Sequence, residues 1–205
     1  MKVALFGATG MVGQGVLREC LLDPGVESVV AVGRNPTGVT HAKLSEQVLS
    51  ESPDLSGVDA CFFCLGVSSR GMKEDAYRAV TYDLTLAAAR AMPSGTTFVY
   101  VSGVGADGRA MWARVRSETE NALLALPLET YVLRPGYIQP RHGARSRTAL
   151  YRVFLRFSAV LYPLARVLVP KHVSSTDQIG RAMLALARGG APARILTSRQ
   201  FNALS

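Results

Sequence analysis

At 205 residues and 48% hydrophobic content, the chain is long enough to bury a full core and short enough to form one domain. Cys20, Cys61 and Cys64 are too few for a secreted disulfide framework, and with His41, His142 and His172 scattered, no metal site is indicated. The formal charge of +8 is uneven: residues 1–140 hold 12 Lys and Arg against 14 Asp and Glu, whereas 141–205 hold 11 against the single Asp177.

The chain opens on the apolar run Val3-Ala4-Leu5-Phe6, followed directly by Gly7-Ala8-Thr9-Gly10-Met11-Val12-Gly13. This pattern predicts a strand turning tightly into a helix whose first amide groups hold a pyrophosphate. Gly7 lets the chain turn, Gly10 lets the backbone approach phosphates, and Gly13 lets the helix pack against the strand. Gly7, Thr9, Gly10, Met11, Val12 and Gly13 are therefore candidate dinucleotide contacts. The same stretch holds a charged helix and a glycine turn where a signal peptide needs an apolar core and a cleavage site. The expected location is the cytoplasm.

Strand-like runs at residues 2–6, 28–33, 60–65, 97–102 and 130–134 alternate with helix-like segments at 11–22, 72–92, 111–125 and 176–188. Lys43–Leu49 adds a short strand. This alternation predicts an α/β protein, a Rossmann-type doubly wound parallel sheet with a small C-terminal helical elaboration. Residues 1–205 read as a single NAD(P)-binding domain, with 141–205 as a substrate-side cover and a closing helix capped by Ser175 or Thr176. Cys61-Phe62-Phe63-Cys64 has a C-x-x-C spacing, but residues three apart on a strand face opposite sides, so the pair reads as structural.

After the second strand, Val29-Val30-Ala31-Val32-Gly33, comes Arg34 rather than an acidic residue. An acid there would bond the adenosine ribose hydroxyls of NAD and repel the extra phosphate of NADP, whereas a guanidinium grips that phosphate. NADP is favoured over NAD, and Asn35 adds a hydrogen-bonding group. Leu65 and Gly66, at the end of the strand through Cys64, are expected on the adenosine side of the cofactor.

Taken together, Gly7 to Gly13, Val32-Gly33-Arg34, Phe63-Cys64-Leu65-Gly66, Val99-Tyr100-Val101-Ser102 with Gly105-Ala106-Asp107, and Leu133-Arg134-Pro135-Gly136 resemble the atypical short-chain dehydrogenase/reductases, in the NAD(P)-binding, epimerase-like branch. The resemblance covers most of residues 1–140 and thins beyond. It implies a Ser or Thr at the end of the fifth strand, here Ser102, polarising the substrate oxygen. It also implies a Tyr and a Lys spaced Y-x-x-x-K on the next helix, where i, i+4 spacing puts both on one face beneath the nicotinamide.

Here those two positions are Trp112 and Arg116, and the departure has chemical consequences. An indole N–H donates a hydrogen bond but exchanges no proton at useful pH, and a guanidinium stays protonated. Arg116 retains the ability to hold the nicotinamide ribose. Tyr137, Tyr151 and Tyr162 are further hydroxyls, and each reads as a packing residue.

Residues 149–169 are apolar and aromatic, with Arg152, Arg156 and Arg166 interspersed and Pro163 interrupting them, which argues against a membrane span. A pocket cover is favoured over an amphipathic segment resting on an anionic membrane surface, and nucleic-acid binding ranks below both. Three functions stay open: an NADP(H)-dependent oxidoreductase or epimerase-like enzyme acting on a small carbonyl or hydroxyl substrate, a non-catalytic NADP(H)-binding regulator or scaffold, and a peripheral membrane protein using the basic C-terminal third as its contact.

Overall fold

The computed structural model describes residues 1–49, 53–144 and 173–205. Strand β1 (Lys2–Phe6) leads through the glycine turn into helix α1 (Met11–Leu22), followed by β2 (Ser28–Gly33), β3 (Leu44–Val48) and β4 (Ala60–Phe63). Helix α2 (Glu74–Arg78) continues through a π-helical turn (Ala79–Asp83) into α3 (Leu84–Arg90). Then come β5 (Thr97–Val101), α4 (Met111–Leu124), β6 (Glu129–Arg134) and β7 (Tyr137–Gln139). Beyond residue 172 lie β8 (Val173–Ser175), α5 (Thr176–Gly189), β9 (Ile195–Thr197) and α6 (Ser198–Asn202).

Seven strands form one parallel sheet in the order β3-β2-β1-β4-β5-β6-β9. The order reverses between β1 and β4, which places the switch point, and so the ligand crevice of this architecture, at the C-terminal ends of those two strands. Side chains alternate across the sheet. Val3 and Leu5 join α1 and α5 in one core, whereas Ala4 and Phe6 join α3 and α4 in the other. Phe6, Phe63 and Phe98 stack in the second core. Cys61 belongs to that core and Cys64 packs against the first, consistent with opposite faces.

Three features differ from the sequence expectation. The fourth strand ends at Phe63, so Cys64, Leu65 and Gly66 lie in the loop beyond it. The C-terminal part is more than a helical elaboration, because β9 pairs with β6 and completes the sheet. β7 and β8 form a separate parallel pair, Tyr137 opposite Val173. Both elements are three residues long, too short for periodicity to reveal. Ser175 is the N-cap of α5, in a reciprocal capping box with Gln178. The aromatic stretch 149–169, with Tyr151, Tyr162 and Pro163, lies outside the described residues.

Helices α1 and α5 cross with a glycine of each set against a side chain of the other. A Cβ on Gly15 would lie 2.5 Å from Thr176 Cβ, and one on Gly180 would lie 2.8 Å from Glu19 Cγ. Around this crossing Glu19 accepts from Arg18 and Arg181, and Arg188 pairs with Asp23. Gly15→Ala should therefore destabilise the fold by about 1–3 kcal/mol through overpacking. Gly189→Ala, where a Cβ meets nothing within 4 Å, should be neutral or stabilising by about 0.4–1 kcal/mol. Thermal unfolding of the two variants measures the difference, and equal midpoints would show that the crossing is not tightly packed.

Candidate functional site

The turn after β1 is built on close backbone approach. Gly7 has φ +82°, and a Cβ there would lie 2.6 Å from the Leu65 amide nitrogen. A Cβ on Gly13 would lie only 2.1 Å from the Gly7 carbonyl oxygen, while the Gly10 amide donates to that same oxygen at 2.9 Å. Gly10 caps α1 in extended conformation, without a side-chain cap and without an acidic residue in the first turn. The first amides of α1, from Met11, Val12 and Gly13, thus lack a side-chain acceptor at a positive helix end, beside Thr9.

Beyond the turn lies a cavity of about 250 Å³ lined by Ala8 and Thr9, by the segment after β2 that includes Arg34, Asn35 and Thr37, and by Glu46 and Gln47 of β3. Arg34 is exposed and forms no ion pair or hydrogen bond among the described residues. Glu46, absent from the sequence reasoning, is the acid of this cavity. Its carboxylate is already engaged, accepting from the Thr37 amide at 2.8 Å and from the Thr37 hydroxyl, and so it shapes the loop after Arg34. Leu65 and Gly66, expected on the adenosine side, do not line this cavity but lie beside the glycine turn. Leu65 abuts Gly7, and Gly66 faces the guanidinium of Arg116.

Helix α4 presents Trp112, Arg116 and Glu120 at successive i, i+4 positions, and each meets a different point of the loop after β5. The Trp112 ring lies 3.3 Å from where a Gly105 Cβ would stand. The Arg116 Nη1 lies 3.1 Å from the corresponding point on Gly103, and its Nη2 lies 4.0 Å from that on Gly66. Arg116 Nε donates to the Tyr77 hydroxyl at 3.0 Å. Burial works against its charge, but Tyr100, Tyr77 and Glu120 outweigh it and hold its pKa above the ordinary arginine value.

Ser102 sits just beyond β5, but its hydroxyl is not free. It is buried and donates to Glu120 Oε1 at 2.5 Å. Glu120, 1% exposed, is gripped in turn by Arg134 through Nε and Nη2. That contact raises the Arg134 pKa. A hydroxyl that already donates to a buried carboxylate has no proton left to polarise a substrate oxygen. Tyr100 is also buried, which pushes its hydroxyl pKa above the usual phenol value. Tyr137 bonds Gln139.

Tyr77 and Glu120 escaped the sequence reasoning for different reasons. Tyr77 is 39 residues from Arg116 and carries no local signal. Glu120 was legible, lying one turn after Arg116 on the same helix face. Removing it leaves Arg134 without its carboxylate, and Glu120→Ala should cost about 3 kcal/mol or more. Ser102→Ala should cost about 1 kcal/mol. Because the residues share one network, the double variant should lose measurably less than the sum of the two. Chemical denaturation provides the comparison, and strict additivity would mean that Ser102 and Glu120 are not coupled.

Comparison with known proteins places this geometry. Among solved structures, the thiolation-reductase di-domain of an archaeal non-ribosomal peptide synthetase superposes with a TM-score of 0.69 at 12% identity, covering 95% of this chain and 69% of that one. A short chain dehydrogenase family protein from Francisella tularensis gives 0.64 at 13%, covering 92% and 91%. UDP-glucuronic acid 4-epimerase from Bacillus cereus, in complex with NAD, gives 0.64 at 14%, covering 96% and 78%. At these identities the likeness shows the fold alone, a Rossmann-type doubly wound α/β fold.

No family model matches the chain. Curated relatives are nearer in sequence. "Protein fmp52, mitochondrial" of Emericella nidulans is 32% identical over 201 residues, covering 88% of this chain and 84% of that one. "Protein fmp52-1, mitochondrial" of Aspergillus oryzae is 33% identical over 180 residues, covering 78% and 76%. These names overturn the cytoplasmic expectation, which rested only on the lack of a secretory pattern in the first residues. On this sequence likeness, the chain belongs to the fmp52 family, and its fold is of the Rossmann type.

Proposed function

We propose that this protein binds NADP(H) across the switch-point crevice, as a mitochondrial nucleotide-binding protein that lacks the short-chain dehydrogenase acid. The glycine turn and the uncapped start of α1 support a pyrophosphate site. The exposed, unpaired Arg34 supports recognition of a 2′-phosphate, and Glu46, committed to Thr37, is not free to take the role that an acid plays with NAD. The NAD held by the Bacillus epimerase lends support to the coarser statement, a nicotinamide dinucleotide.

The observation that carries the second half is the state of Ser102, Trp112 and Arg116. The first donates to Glu120, the second is an indole against Gly105, and the third is a cation bonded to Tyr77. None supplies an exchangeable proton near neutral pH, which hydride transfer at a carbonyl requires. On this reading the protein responds to cofactor occupancy.

Titration of the purified protein should show NADPH binding at least tenfold tighter than NADH, an advantage largely lost in Arg34→Ala, since hydrogen bonds to a charged group contribute about 1.5–3 kcal/mol. Equal affinities, unchanged by the substitution, would remove the NADP assignment. A screen of small carbonyl and alcohol substrates followed by NADPH absorbance should show no turnover. Turnover in the native protein would restore the oxidoreductase reading.

A further inference from the structure

The other arginines within α2, α4 and β6 each have a carboxylate. Arg78 pairs with Glu118, Arg114 with Glu74 and Arg134 with Glu120. Arg116 does not: among the described residues no carboxylate lies within ion-pairing distance of it, and its one protein hydrogen bond is from Nε to a neutral hydroxyl. Of the residues outside the description, 145–172 contain no Asp or Glu and 50–52 contain one acid, Glu51. Glu120 acts on Arg116 only at longer range and is already gripped by Arg134.

The two terminal amino groups point where side chains are missing. Nη1 faces Gly103 and Nη2 faces Gly66, at the ends of β5 and β4. Their side of the guanidinium is the planar fork that matches two oxygens of a carboxylate or phosphate, and a partly desolvated cation without a counter-ion among the described residues favours an anionic ligand. A ribose diol accepts hydrogen bonds but leaves that charge unbalanced.

We propose that the Arg116 fork, framed by Gly66 and Gly103, binds the carboxylate or phosphate group of a small anionic ligand. This deepens the cofactor reading and rests on it only for the role of the crevice as a ligand site. The ligand class is thus an organic acid or phosphate ester, held by two parallel N–H···O bonds, with the indole of Trp112 one helical turn away.

Trp112 is the chain's single tryptophan, so its emission reports on the site directly. Malonate and inorganic phosphate, each titrated against chloride of equal ionic strength, should produce a saturable emission change, and neutral malonamide should not. Comparing the two anions distinguishes a carboxylate from a phosphate ligand. Arg116→Gln should weaken the response at least tenfold.

Gly103→Ala keeps the charge but puts a methyl group 3.1 Å from Nη1, and should weaken the response as well. Circular dichroism establishes that each variant is folded. An unchanged response in a folded Arg116→Gln, a response equal for malonamide, or no saturable response in the native protein would overturn the proposal. Failure of NADPH to bind while the anion response persists would overturn the cofactor reading and leave this one standing.

Discussion

The contact between the Gly7 carbonyl and the backbone of Gly13 is the constraint on which the rest of this molecule hangs. It lets α1 start at once from the end of β1 and lie close against the strand, with no side chain between them. Only then do α1 and α5 meet through Gly15 and Gly180, and only then does the start of α1 point across the switch point rather than away from it. A methyl group at either end of the turn would oppose backbone atoms, which cannot rotate aside as a flexible side chain can. The ligand-facing amides and the packing of one whole face of the sheet therefore share a single steric origin.

The opposite wall of the crevice is organised by polar contacts. Helix α2 is fastened to α4 by Glu74 with Arg114, Arg78 with Glu118, and Tyr77 with Arg116. The exposed ion pairs contribute little each. The buried Ser102–Glu120–Arg134 assembly matters more, because it ties α4 to the ends of β5 and β6 and keeps the loop between them in register. The Ser102 and Val104 amides donate to Leu133 and Pro135 in the same region. Ser102, which the family resemblance would assign to chemistry, is in this chain bonded into that frame.

Much of this was legible in the sequence where the signal was local. The glycine spacing, the alternation of apolar runs with helical segments and the capping Ser175 all translate into geometry, because each depends on neighbours a few residues away. The site residues illustrate the limit. That position 116 carries arginine is visible at once, but that its partner is a tyrosine 39 residues distant depends on how two helices meet. The serine at the end of β5 looks available in sequence, and only its three-dimensional neighbours show its hydroxyl directed to Glu120. β9 escaped notice because three residues pairing with a strand some 60 positions earlier leave no periodic trace. The cytoplasmic expectation failed for another reason: it took the absence of one address for the presence of another.

The π turn at Ala79–Asp83 gives the continuous α2–α3 helix a property that no side chain supplies. An α-helix rotates about 100° per residue, so a one-residue excess changes the phase of everything beyond it. Here the phase before the turn directs Tyr77 to α4, while the phase after it directs Leu86 and Ala89 into the core beneath the sheet. A regular helix of this sequence could satisfy one of these faces, not both. The environment of Arg116 is therefore set by a residue count, and losing a single position between 79 and 83 would swing Tyr77 away while leaving every group of the crevice chemically intact.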